Sequence, residues 1–206
     1  MKKFSKAIHG LGEFRIQTYE EIMGLASEPE LFQLRFPDVL EVPNSGASLD
    51  KHIYQDASAA FYAELNDWEK EVVSKELADP AVAYWIRNVP RKPWALAIPY
   101  MGDAGQPKGL YPDFIFLRKS GGGYSANLVD PHNPALGDSA AKLRGLAEYA
   151  NLHGESFRRI EAVIMDGDNL IRINLMDPTL NAIALKVVTS NDVEEVFRDF
   201  GSSKRG

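Results

Sequence analysis

The sequence predicts an α/β fold in which helices flank a mixed sheet. Three observations support this: a helical apolar pattern precedes the first strands, short apolar runs lie between turn residues, and further helical segments separate those runs. The segments do not alternate as regularly as a doubly wound fold requires. A chain of 206 residues, 45% hydrophobic and 25% charged, is long enough to bury such a core.

Residues 1–60 are predicted to form an irregular extension ahead of the main domain. Two short helices are possible, at 20–26 and 28–34, and several turn signals follow them. We expect the main domain to span residues 61–200 and a loose tail to follow at 201–206.

The first half of the domain is predicted to contain one helix and three strands. Apolar residues recur at helical spacing over 61–78, and Asp79-Pro80 ends the pattern. Glu69 and Glu76 project into its apolar arc, where a carboxylate is costly unless it is paired or bound to a metal. The other segments, in chain order, are a helical or extended piece at 81–86, a basic turn at 87–93, a strand at 94–101, a loop at 102–109, and strands at 113–118 and 124–130 joined by a turn at 120–123.

The second half is predicted to hold two helices and two or three strands. A helix over 138–152 begins at Asp138 or Ser139 and ends at Gly154. The segments after it are strands at 159–165 and 170–175, a short strand at 183–188, and a last helix at 191–200.

Composition excludes several classes of protein. The sequence has no cysteine, which excludes a disulfide scaffold, a thiolate zinc site and a cysteine nucleophile. It has no apolar run of about 18 residues and no secretory signal pattern, so we expect a cytoplasmic protein without a membrane span. A net charge of −6 argues against coating nucleic acid by charge alone, but not against an enzyme with an acidic metal site.

Two simple motifs carry little functional information. The glycines at 121–123 lack the lysine and the helix of a phosphate-binding loop, and a hairpin turn accounts for them. The four histidines have no mutual metal-ligand spacing. We expect His9, His52 and His153 to be surface or capping residues.

Asp113 and Asp130 form the most informative pattern. One stands at the start of a predicted strand and the other at the end of the next, so a tight hairpin brings them side by side. Two carboxylates that meet there repel each other, and a divalent cation that shares their oxygens removes that cost. The alternative is that both aspartates only cap strand ends. Strand alternation places Leu128, Asp130 and His132 on one side if the strand continues through Pro131.

Five short motifs in order resemble the PD-(D/E)xK nuclease superfamily, and more narrowly the C-terminal nuclease-like domain of type III restriction enzyme Res subunits and related DEAD/DEAH-box helicases. They cover roughly residues 60–175. The motifs are Leu65-Asn66-Asp67-Trp68-Glu69, Tyr84-Trp85-Ile86-Arg87-Asn88, Tyr111-Pro112-Asp113-Phe114, Val129-Asp130-Pro131-His132 and Ala141-Lys142-Leu143-Arg144-Gly145-Leu146. The resemblance implies a restriction-endonuclease-like mixed sheet. The phosphate-binding loop of a helicase motor is absent from the sequence.

The resemblance also implies a site and a reaction. Asp113 and Asp130 would hold Mg²⁺, or Mn²⁺, with Glu69 as a third ligand, for hydrolysis of a DNA phosphodiester. A salt bridge from Glu69 to Arg87 or Arg91 is the alternative for that residue. The residues expected to contact the DNA backbone are Arg87, Arg91, Lys92 and Arg144.

One departure from the family pattern concerns the lysine of the motif. His132 occupies that position, and a histidine is not an equivalent cation at neutral pH. Pro131 also removes an amide donor from the strand. Lys142 on the following helix is the candidate substitute, and His132 or Lys142 would contact the phosphate or the water.

Three functions therefore remain open. The first is a metal-dependent DNA endonuclease domain of a restriction or helicase system. The second is a catalytically impaired nuclease-like domain that binds DNA or assembles with a helicase or methylase partner, or with an upstream helicase domain. The third is an unrelated α/β interaction domain without a site.

Overall fold

The computed structural model describes residues 38–40, 46–55 and 61–203. The predicted helices at 20–26 and 28–34 lie outside these residues. The elements, in chain order, are β1 (Ala47–Leu49), β2 (Phe61–Ala63), α1 (Asp67–Leu77), β3 (Val82–Arg87), β4 (Ile98–Met101), β5 (Pro107–Leu110), β6 (Phe114–Ser120), β7 (Gly123–Pro131), α2 (Ser139–His153), a one-turn 3-10 helix (Gly154–Ser156), β8 (Phe157–Asp166), β9 (Asn169–Asn174), α3 (Pro178–Ala184) and α4 (Ser190–Phe200).

A five-stranded mixed sheet is the centre of the fold. Its order is β3-β6-β7-β8-β9, in which β7 and β8 are parallel and the other neighbours are antiparallel. Helix α2 makes the crossover that a parallel pair needs. Two ribbons, β1-β2 and β4-β5, lie beside the sheet. The predicted α/β class, with helices flanking a mixed sheet, is confirmed.

Both faces of the sheet are buried. Phe114, Phe116 and Val129 pack with α1 residues on one face, and Ile115 and Leu128 pack with α2 residues on the other. Because side chains alternate along a strand, adjacent residues of β6 and β7 serve opposite cores. This explains why β6 begins with a continuous apolar run, Phe114–Leu117, and not with an alternating pattern.

Three predicted elements differ from the structure. The helix expected from residue 61 begins at Asp67, because Asn66 and Glu69 form a capping box there. The loop expected at 102–109 contains β5, which pairs with β4. The strand expected at 183–188 is wrong: Asp177 caps helix α3 and Pro178 occupies its first turn, and that start signal outweighs the β-branched residues that follow.

Two other predictions agree with the structure. Gly121 and Gly122 both have positive φ, at 53° and 94°, in the turn between β6 and β7. Glycine adopts this conformation without the strain of a side chain, so the triple glycine is a hairpin turn. In the described residues, no helix is both long and apolar enough to cross a membrane.

His52 and His153 are buried, which corrects the expectation that they are surface residues. The His52 ring stacks on Phe61 with centroids 3.4 Å apart and meets Trp85 edge-on. Its Nε2 accepts a hydrogen bond of 3.2 Å from the Arg87 backbone N–H, so the neutral ring fits this position. His52 thereby attaches the segment before β2 to strand β3.

We expect His52 to make the fold less stable in acid. Burial lowers the pKa of His52 from 6.5 to about 4, so between these values the unfolded chain binds a proton that the folded chain does not. The free energy of unfolding therefore falls as the pH drops from about 6.5 to about 4, by up to about 3 kcal/mol from this residue. Urea unfolding of the unmodified protein and of His52→Gln at several pH values should show this slope in the difference between their free energies of unfolding. An unchanged slope in the variant would contradict the assignment.

Candidate functional site

Strand register places Asp113 opposite Asp130. Phe114 pairs with Val129 in the antiparallel β6-β7 ladder, and Asp113 precedes Phe114 as Asp130 follows Val129. Residues opposite each other in such a pair point to the same face. Both carboxylates thus belong to the α2 face, where Ile115 and Leu128 pack.

Asn88 fixes the backbone around Asp113. Its backbone N–H donates to the Asp113 carbonyl at 2.8 Å, and its buried amide donates to the carbonyls of Pro112 and Leu96. The Asn88 side-chain oxygen also accepts from the Leu96 N–H at 2.8 Å. This residue therefore connects the segment after β3 to the start of β6.

The Asp113 carboxylate is largely buried and lies near two other carboxylates. Burial and the nearby charges of Asp130 and Glu69 together raise its pKa to about 7, against the opposing charges of Arg87 and Lys142. Ionised Asp113 is therefore costly in the isolated protein. A bound cation would reverse that cost.

We expect Asp113→Asn to stabilise the isolated protein near pH 8. The folded chain holds the Asp113 proton more tightly than the unfolded chain, so its stability falls as the pH rises from about 4 to about 7. The full shift corresponds to about 4 kcal/mol, and solvent relaxation around a partly exposed carboxyl reduces the expected gain to about 2 kcal/mol. Denaturant unfolding without divalent ions measures this gain, which should vanish near pH 4. A less stable variant near pH 8 would show that Asp113 has a structural role.

The two aspartates share a cavity of about 320 Å³. Its interior includes Asp130, His132 and Ser139, which are buried, while Asn133 and Leu136 at its mouth are exposed. The lining residues are Pro90, Gly109, Leu110, Tyr111, Asp113, Asp130, Pro131, His132, Asn133, Leu136, Ser139 and Lys142.

Lys142 lines the same cavity, as its candidate role requires. Its Nζ lies 3.1 Å from Asp138 Oδ1, one helical turn away on α2. The Tyr100 hydroxyl donates to the same carboxylate at 3.2 Å, and Lys108 lies 3.9 Å from it. Asp138 therefore lies close to two ammonium groups, of which that of Lys142 lines the cavity. Sequence patterns do not indicate this arrangement, because Tyr100 and Lys108 belong to the β4-β5 ribbon.

His132 is directed into the protein. Its Nε2 donates to the Ser139 carbonyl at 2.9 Å, and its Nδ1 lies 3.5 Å from Asp130 Oδ2. The ring also stacks near Phe197 of α4. Since both nitrogens face groups of the protein, we interpret His132 as a residue that positions Asp130 and not as a phosphate contact.

Glu69 is buried, as its helical phase predicts, but its carboxylate is engaged on the α1 face. Oε1 accepts from Arg87 at 2.7 Å, and Oε2 accepts from the Asn66 backbone N–H at 2.7 Å. The salt bridge to Arg87, the alternative for this residue, is the one that forms. Within the described part of the chain, no group of three or more His, Cys, Asp or Glu side chains is arranged to hold a metal ion. Both oxygens of the Glu69 carboxylate are thus engaged, one by Arg87 and the other by the Asn66 backbone.

The four candidate DNA contacts separate in space. Arg87 is paired with Glu69, and Arg144 is paired with Asp103 at 2.9 Å in a different cleft. Arg91 and Lys92 are exposed and directly follow Pro90 at the cavity mouth. Arg87 also lies close enough to Asp113 for its charge to act on that carboxylate.

Comparisons with known proteins give one family. The YagJ family model matches residues 50–205. The chain is 30% identical to Protein YagJ of Escherichia coli (strain K12) over 207 aligned positions, which cover 96% of this chain and 84% of that protein. No solved structure matches. Because the family model covers well over half of its length, the chain belongs to the YagJ family.

Proposed function

We propose that this chain is a Mg²⁺-dependent deoxyribonuclease domain of the PD-(D/E)xK type. The observation that carries the proposal is the pairing of Asp113 and Asp130 across β6 and β7, in one cavity with Lys142. The sheet order adds support, because an antiparallel hairpin followed by a crossover helix and a parallel strand agrees with the resemblance of the five motifs. The proposed setting is the cytoplasm, with a helicase or methylase partner and DNA as substrate.

The donor set suits a hard cation. Mg²⁺ prefers oxygen ligands, commonly one or two carboxylates, and keeps several waters or substrate phosphate oxygens. Asp113 and Asp130 provide two carboxylates, and burial, followed by the charges of Asp130 and Glu69, raises the pKa of Asp113. When bound, such an ion supplies an activated water and stabilises the leaving oxygen. Mn²⁺ is the alternative ion.

Each nearby residue then has a distinct role. Asp113 and Asp130 hold the ion, and His132 orients Asp130 through its 3.5 Å contact. The Lys142 ammonium stabilises negative charge on the phosphate. Arg91 and Lys92 contact backbone phosphates at the mouth of the cavity.

A catalytically impaired domain is the second candidate. Lys142 is held at 3.1 Å from Asp138, which competes with a phosphate for its charge. Pro131 also lacks the N–H that its neighbours contribute to the sheet. In this case the domain would bind DNA or a protein partner without cleaving the strand.

Cleavage assays on two lysine variants distinguish an active nuclease from a catalytically impaired domain. Labelled DNA is incubated with the protein and Mg²⁺ or Mn²⁺, with and without a helicase partner. We expect cleavage, and we expect Lys142→Ala to lower its rate by about 10²–10³ without changing metal affinity, because an ammonium stabilises charge but is not a cation ligand. Lys119→Ala, which removes an exposed lysine at the far end of β6, is the matched control. Absence of cleavage under every condition would favour the impaired domain.

A further inference from the structure

We propose that the DNA substrate enters this site as an unpaired strand, an inference that rests on the proposed function. The carboxylates line a cavity in which Asp113 is half-buried and Asp130 is buried. Asp130 is only 4% exposed, and buried Ser139 and Leu110 line the same cavity. A phosphate of a regular duplex is held between its neighbours on the outside of a stacked helix. An unpaired strand bends easily, so one of its phosphates can enter a cavity, whereas a stiff duplex has to be deformed at an energetic cost to reach the same depth.

The cavity mouth suits an unpaired base. Pro90, Leu136 and Tyr111 present apolar or aromatic surface there, and Leu136 is 48% exposed. Base faces make favourable contacts with such side chains, but in a duplex those faces are already stacked on one another. The mouth therefore offers a contact that only an unpaired nucleotide can use.

The distribution of charge agrees with this substrate. A protein that follows a duplex presents an extended basic surface to many phosphates. Arg87, Arg144 and Lys142 are each paired with a carboxylate, and the exposed cations Arg91 and Lys92 follow Pro90 of the cavity lining in the sequence. The net charge of the chain is −6. The two exposed cations beside Pro90 suit contact with a few phosphates of a short unpaired segment.

Binding and cleavage of matched DNA substrates test the inference. One labelled oligonucleotide is used alone, as a full duplex, and as a duplex with a single-stranded overhang. Binding is measured by fluorescence anisotropy with Ca²⁺ and cleavage with Mg²⁺. We expect the single strand to bind about tenfold or more tightly than the duplex, and cuts to occur in the overhang. If the full duplex were bound as tightly and cleaved as fast as the single strand, the inference would be overturned and the nuclease proposal would remain intact.

Two leucine variants test whether the single-stranded DNA binds at the mouth of the cavity. Leu136→Asp should weaken binding of the single strand about tenfold, whereas Leu152→Asp, at a leucine that is 49% exposed on α2 away from the cavity, should not. If both variants weakened binding of the single strand equally, the inference would be overturned. It would also be overturned if thymidine monophosphate bound as tightly as the single-stranded oligonucleotide. If the protein bound the single strand more tightly than the duplex but cleaved neither, the inference would be supported and the nuclease activity would be contradicted.

Discussion

Asp130→Asn is expected to lower Mg²⁺-dependent DNA cleavage by about 10³-fold or more, because it removes one of the two carboxylates proposed to hold the ion. The substitution keeps the size of a side chain that is only 4% exposed, so the fold is preserved. Metal affinity should fall together with activity, since a neutral amide oxygen is a weaker ligand than a carboxylate. Cleavage of labelled DNA and calorimetric titration with Mg²⁺ measure the two effects.

Asp168→Asn is the matched control for this prediction. Asp168 is exposed in the turn between β8 and β9 and does not line the cavity with Asp113 and Asp130. It should leave both cleavage and metal affinity unchanged. Cleavage that persists at the normal rate in Asp130→Asn would show that the active site lies elsewhere, or that another nuclease contaminates the preparation.

The pairing of the two aspartates could be predicted from local patterns. Proline before Asp113, a glycine turn and an apolar hairpin specify a register that brings residue 113 opposite residue 130. Hairpin register depends on nearby residues, which makes it accessible from sequence. The side on which His132 lies could be predicted for the same reason, because strand alternation continues through Pro131.

The role of Glu69 shows where local patterns become ambiguous. Its burial follows from its helical phase, and the spacing from Asn66 to Glu69 matches the nuclease motif. The same spacing is a capping box, and the structure uses it as one. The choice between a metal ligand and a salt bridge depended on Arg87, whose position relative to α1 is set by the packing of α1 on the sheet.

Contacts between distant segments were not predictable. The apolar arc of α1 indicates that Glu76 points inward, but its partners come from β8 and β9, far along the chain. Likewise, the ribbon residues Tyr100 and Lys108 meet Asp138 only after the sheet and α2 have assembled. Such arrangements follow from tertiary packing, which no local period encodes.

A network of four buried charged residues links α1 to the sheet. We expect disruption of this network to have the largest effect on the free energy of unfolding. Arg159 and Arg172 each contact both Glu76 and Glu161, with N–O distances of 2.7 to 3.2 Å, and all four residues are at most 4% exposed. Their charges cancel as a group. The network therefore connects α1 to β8 and β9 without a net buried charge.

Glu161→Gln is expected to destabilise the fold by about 3–5 kcal/mol, because it keeps the shape of the side chain but leaves a buried arginine charge uncompensated. Glu71→Gln, which breaks an exposed pair with Lys75 on the same helix as Glu76, should cost at most about 0.5 kcal/mol. Urea unfolding of the two variants measures the difference. Replacing all four network residues by methionine or leucine should cost less than Glu161→Gln alone, since no charge is then left unpaired. If the single variant were as stable as the unmodified protein, water would have to reach the arginines, and the network would not be a closed, buried one.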